Sequence, residues 1–156
     1  MGLDFSLELS WSQVSLFDAN LADPFNDWTE AHLAQGFTWR PGSVSFKVPT
    51  RTGELDVSLD FIDSLRLLHD ARWAILVPFH SWAGVIEVST IAQSELIEIP
   101  PGRFSLLYQT GVHDGRAWAC FGLLESNGIE VEPRVLRGDD VVRASAEVLM
   151  HAEPAA

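Results

Sequence analysis

The side chains of this sequence best equipped for chemistry are its carboxylates, 22 Asp and Glu against 10 Lys and Arg, for a formal net charge of −12. Carboxylates serve as general acids and bases, as ligands for hard cations, or as contacts for a cationic surface, and their company in the sequence separates these roles. The five histidines, His32, His69, His80, His113 and His151, share no short motif with one another, with Cys120 or with a spaced carboxylate pair, which argues against zinc ligation. Asp139-Asp140 could meet a divalent ion, but no further oxygen donors are fixed nearby in sequence and the pair reads as a solvated loop. No glycine-rich phosphate loop, serine elbow or Asp/Asn/Gly cation loop occurs, so the signatures of nucleophilic and phosphoryl-transfer catalysis are missing and no cofactor is expected. Cys120, the single cysteine, lies in the apolar run from Ala117 to Phe121 and reads as a small core residue.

Charge then remains as a means of recognition. An excess of carboxylates repels phosphates, which counts against direct binding to nucleic acid or anionic lipid and favours a basic partner. The same excess also serves solubility alone. The amino terminus lacks the basic and apolar regions of a signal peptide, and no stretch reaches the ~18 apolar residues of a membrane helix, so a cytoplasmic location is expected.

The elements that must position these groups read as strands. Leu3, Phe5, Leu7, Leu9 and Trp11 alternate with Asp4, Ser6, Glu8 and Ser10, the pattern of a strand with one wet face. Short strands follow at Val14 to Phe17, around Val44, Phe46 and Val48, and from Glu54 to Ile62, whose outward positions carry Glu54, Asp56 and Asp60, with Asp63 just beyond. From Trp73 to Thr110, three β-branched runs are punctuated by Trp82-Ala83-Gly84 and Pro100-Pro101-Gly102, and runs this close are expected to pair as antiparallel neighbours. Trp118 to Leu124 reads as a buried strand and Ile129 to Glu132 as a short edge strand. The segment 64–72 fits neither period and reads as a helical turn or a loop, 144–150 reads as a final strand or helix, and the tail from Glu153 reads as frayed.

One helix stands out. Asp27 offers a carboxylate N-cap with Glu30 three residues on, opening a helical stretch from Trp28 to Gln35 that Gly36 ends. Many short strands, regular turn signals and one short helix near 27–35 define an all-β chain, an antiparallel β-sandwich with a closed barrel as the alternative. With 47% hydrophobic residues and no linker or repeat, residues 1–156 read as a single domain. Of six tryptophans, Trp39 and Trp82 lie beside glycine-containing turns, where exposed rings could contact a small molecule or a carbohydrate.

The order and spacing of several segments resemble the competence protein J family. They are Asp27-Trp28-Thr29-Glu30-Ala31 ending at Gly36-Phe37, Gly42-Ser43-Val44-Ser45-Phe46, Val77-Pro78-Phe79-His80 with Gly84-Val85-Ile86-Glu87-Val88, and Ile99-Pro100-Pro101-Gly102-Arg103-Phe104-Ser105-Leu106. The likeness spans about residues 24 to 110. It implies inhibition of a DNA-entry nuclease by protein contact, or immunity to a secreted nuclease toxin, with no catalytic residue to carry over.

Charge agrees with that implication independently, since a nuclease must attract a backbone carrying about one charge per 1.7 Å of duplex and so presents a basic site. The expected partner is therefore a basic bacterial nuclease or nuclease toxin, and the expected contacts are loop and edge carboxylates. These are Asp18, Asp23, Asp27 and Glu30 around the helix, and Glu130, Glu132, Asp139 and Asp140 beyond the resemblance. Each also reads as a solvated surface charge, and Asp27 with Glu30 as a capping pair. The alternative is a ligand- or carbohydrate-binding sandwich without catalytic activity.

Overall fold

Period-two alternation gives each strand one apolar face, and two such sheets bury those faces against each other. The computed structural model describes residues 2–126, 128, 130–144 and 148–155. Its strands are β1 (Leu3–Leu9), β2 (Gln13–Asp18), β3 (Phe37–Arg40), β4 (Ser43–Lys47), β5 (Gly53–Ile62), β6 (Trp73–Ser81), β7 (Val85–Ser89), β8 (Ser94–Glu98), β9 (Gly102–His113), β10 (Arg116–Glu125) and β11 (Arg134–Arg137), with one helix, α1 (Glu30–Gln35). One sheet has the order β1-β5-β10-β9-β6-β11 and the other β3-β4-β2-β7-β8. The architecture is the expected all-β sandwich, two open sheets rather than a closed barrel. The β5–β10 pair is parallel and the other pairs are antiparallel.

Adjacent runs do not all pair as their spacing suggests. β6 pairs with β9, whereas β7 pairs with β2 and β8, so the turn at Trp82-Ala83-Gly84 carries the chain from one sheet to the other. The core lies between the sheets. Phe46 of β4 stacks on Tyr108 of β9 with ring centroids 4.1 Å apart, and Phe121 of β10 completes the cluster. Two polar tips stitch the layers, the Tyr108 hydroxyl donating to the Lys47 carbonyl at 3.0 Å and the Trp39 indole N–H to the Pro78 carbonyl at 2.7 Å. Burial pushes the Tyr108 phenol well above its ordinary pKa, so it stays a donor.

The ambiguous segment 64–72 is a crossover. It links β5 to β6, which are separated in the sheet by β10 and β9, and it lies over the outer face. Gln109, alternating outward from Tyr108, accepts from the Leu68 N–H at 2.7 Å and donates to the Arg66 carbonyl at 3.1 Å, while Arg137 donates to the carbonyls of Leu68 and Ala71. This cover is why Leu76 and Leu107 are buried outside the main core, and why Leu65, Leu67 and Leu68 follow no regular period.

Four local expectations are corrected. The helix begins at Glu30, not Trp28, because Thr29 is the cap: its hydroxyl accepts from the His32 N–H, and the His32 ring accepts from the Thr29 N–H at 3.1 Å. Trp11 leaves the inward face of β1, sitting in a turn with Ser12 at φ 64° and 59° and standing 63% exposed. Glu130, Val131 and Glu132 form no strand, the edge strand lying at β11 instead, and Ile129 falls outside the described residues. The tail is docked rather than frayed, with the Ala152 N–H on the Trp39 carbonyl, the Asp27 N–H on the Glu153 carbonyl and the Ala155 N–H on the Phe25 carbonyl. Of segment 144–150, residues 145–147 lie outside the described set and the rest has no regular structure.

Candidate protein-partner surface

The eight carboxylates separate by what each already holds. Asp18, at the end of β2, is 2% exposed. Its Oδ2 accepts from the N–H groups of Trp82 (2.6 Å) and Ala83 (3.0 Å), and its Oδ1 from that of Asn20 (3.0 Å). Burial alone raises such a carboxyl, but the three backbone donors outweigh it and hold Asp18 below the usual range. It is a pin for the turn between the sheets, with its oxygens already used, rather than a surface contact.

Asp139 is similarly committed. Its Oδ2 meets the Arg72 Nε at 2.7 Å and its Oδ1 accepts from the N–H groups of Val141 and Val142, so it organises its own loop. Burial opposes its charge, yet Arg72 and those amides hold the carboxyl well below its ordinary value. This loop abuts the far end of α1, where the Arg143 N–H donates to the Ala34 carbonyl. There Gly36, at φ 83°, could not carry a Cβ, which would fall 2.8 Å from a Val142 methyl. Asp140 beside it is exposed.

The other end of α1 is different. Asp23, Asp27 and Glu30 are exposed, and among the described residues none of their side chains enters a salt bridge. Arg40, beside Asp23, spends its guanidinium on the Asn26 side chain and the Asp23 carbonyl. The docked tail brings exposed Glu153 alongside Asp27, a residue missed in the sequence because a tail segment carries no signal of where it docks. His32, 3% exposed, lies under this group; desolvation lowers its pKa and Asp27 partly restores it. The surface thus carries several exposed carboxylates, with Arg40 beside Asp23 while Asp27 and Glu30 meet no Lys or Arg in a salt bridge among the described residues, a group suited to holding Lys and Arg of another molecule. Among the described residues no cluster of three His, Cys, Asp or Glu could hold a metal ion, and no helix is long and apolar enough to cross a membrane.

Glu130 and Glu132 are exposed. Glu130 lines a cavity of about 210 Å³ with Trp39, His80, Trp82, Arg103 and Phe104. Trp39, expected near the surface, is only 9% exposed, whereas Trp82 is 53% exposed with its ring 4.2 Å from that of His80. The carboxylates of β5 do not form a free acidic sector either: Arg116 grips Asp56 with two hydrogen bonds of 2.7 and 3.0 Å and lies 4.0 Å from Glu54.

The sequence model of the family described as Competence protein J (ComJ) matches residues 6–131, well over half the chain. The chain belongs to the competence protein J family. The DNA-entry nuclease inhibitor of Bacillus subtilis (strain 168) is 25% identical over 101 residues, covering 64% of this chain and 75% of that protein. The crystal structure of ComJ from Bacillus subtilis, described as an inhibitor of the DNA degrading activity of NucA, superposes with a TM-score of 0.71 at 19% identity, covering 80% of this chain and 96% of that one. A protein described as Crocagin biosynthetic gene J shares the fold more loosely, at a TM-score of 0.51 and 14% identity over 78% of this chain and 96% of that one. The family match takes in Asp18, Asp23, Asp27, Glu30 and Glu130, and leaves Glu132, Asp139, Asp140 and Glu153 beyond it.

Proposed function

We propose that this chain inhibits a bacterial nuclease by binding the enzyme through an acidic surface and blocking access of DNA. The observation that carries the reading is membership of a family whose Bacillus subtilis relative is a DNA-entry nuclease inhibitor. The charge supports it, since a −12 protein with exposed Asp23, Asp27, Glu30 and Glu153 around one helix complements a phosphate-binding site. The partner is then basic, of the secreted or toxin type, and the inhibitor needs no chemical step of its own. Complementary charge steers association toward roughly 10⁸ to 10⁹ M⁻¹s⁻¹ at low salt, fast enough to neutralise an enzyme before it cuts.

The test is titration of the purified chain against the nuclease NucA, following degradation of plasmid DNA. Loss of cleavage near stoichiometric ratio, weakening as salt rises, is expected, and undiminished cleavage at low salt in excess chain removes the reading. Reversing Asp27 and Glu30 to Lys should slow association and flatten its salt dependence while the fold persists. A second reading, binding of a small molecule or sugar, is favoured by one observation, the convergence of Trp39 and Trp82 on a single cavity. Glycan binding abolished by Trp82→Ala, with nuclease inhibition absent, would select it.

A further inference from the structure

The four edge strands are not treated alike. β3 is closed by a side chain and by the docked tail: Gln35 donates to the Phe37 carbonyl and the Ala152 N–H to the Trp39 carbonyl. β11 is four residues long, bulged between Val135 and Arg137, and bears an arginine at each end. β1 has the N–H and C=O of Glu8 taken by Gln93 and Thr90, and its open stretch presents the polar side chains of Asp4 and Ser6, with Phe5 between them packed against the core. Short length, bulges, charge and covering segments are the ordinary ways of blunting an edge.

β8 has no such cover. The bonds from the Ile99 N–H to the Gly84 carbonyl and from the Thr90 N–H to the Gln93 carbonyl fix the alternation of its pairing with β7. By that alternation, the N–H and C=O of Ser94, Leu96 and Glu98 point away from β7. Among the described residues nothing bonds to them there. On the same edge Leu96 is 63% exposed, and Glu87 lies directly across from it on β7. From Ser81 to Gly102 the chain holds three carboxylates, Glu87, Glu95 and Glu98, and no Lys, Arg or His.

We propose that the free edge of β8 receives a strand from the partner enzyme, one that carries Lys or Arg beside an apolar residue. This rests on the inhibitor reading and names a second point of attachment for the same basic partner. An added strand would satisfy the outward N–H and C=O groups, cover Leu96 and set a cation beside Glu98, with Glu87 one strand further in, within reach of a long side chain lying over Leu96. A second copy of this chain is a poor occupant, because it would bring Glu95 and Glu98 of both copies to the seam with no cation on either strand.

Two measurements with purified NucA test this. Amide hydrogen exchange on the unmodified protein should show Leu96 and Glu98 exchanging readily when free and protected in the complex. Leu96→Pro removes an outward N–H without taking a bond from β7, so it should weaken binding by about 30-fold or more, and Glu87→Lys with Glu98→Lys by about 10-fold at low salt. Circular dichroism checks that each variant keeps the fold. Inhibition by the wild type with unprotected amides at Leu96 and Glu98, or unchanged affinity in both folded variants, overturns the edge proposal and leaves the inhibitor reading standing. Protection arising from a dimer of the free chain also overturns it. Absence of any binding to NucA removes both.

Discussion

The two borders of the five-stranded sheet show opposite solutions to one physical problem. At β3 the chain returns from far along the sequence to occupy the backbone groups, while at β8 they are left to solvent beside an exposed leucine. The closed border is held by groups whose loss costs stability. On the edge proposal, substitution at the open one costs little in the free protein and much in a complex.

That contrast can be broken at the root of the open border. Asp18→Ala strips three backbone donors of their acceptor at the turn that delivers β7, and should destabilise the fold by about 3 kcal/mol in urea unfolding, the largest effect expected here. At the closed border, Gln35 bonds to the Phe37 and Leu149 carbonyls and accepts from the Leu149 N–H. Gln35→Ala should cost about 2 kcal/mol and deprotect Leu149 and Ala152 in amide exchange.

A smaller effect follows acidity. The folded pKa of His32 lies below its unfolded value, so the unfolded chain binds the extra proton first. Its contribution is complete above about pH 6.5 and is lost as pH falls through the folded pKa, and His32→Gln should flatten a plot of stability against pH over that window. The smallest effect belongs to the open border, where Glu98→Lys should move stability by no more than about 0.5 kcal/mol while, on the edge proposal, weakening binding to the nuclease partner. A larger loss would mean that β8 is structural rather than free.

The strands and the helix were legible because apolar alternation and a glycine stop are local signals. The fate of individual carboxylates was not. Asp18 and Asp27 look alike in sequence, yet one accepts backbone donors from a turn beyond residue 80 and the other faces solvent, a difference set by which segments the sheets bring together. Asp27 lost the cap to Thr29 because the hydroxyl and His32 satisfied both orphan donors two residues later. Trp39 sank and Trp11 rose for the same kind of reason: the first found an acceptor across the sandwich, and the second lies in a left-handed turn. The tail gave no sign of docking, since its acceptors at Trp39 and Phe25 lie in a strand and a loop more than a hundred residues away in sequence.

The parallel pairing of β5 with β10 also sets the timing of folding. Leu55 meets Ala117, so the centre of the larger sheet cannot form until the chain through β10 has left the ribosome. Until then β5 has only β1 beside it, and most of the sandwich waits on contacts of long sequence separation. Such a topology folds in about milliseconds to seconds rather than microseconds. The ribosome takes longer than that to make the chain, at roughly 5–20 residues per second, so synthesis rather than folding sets when a finished copy first appears.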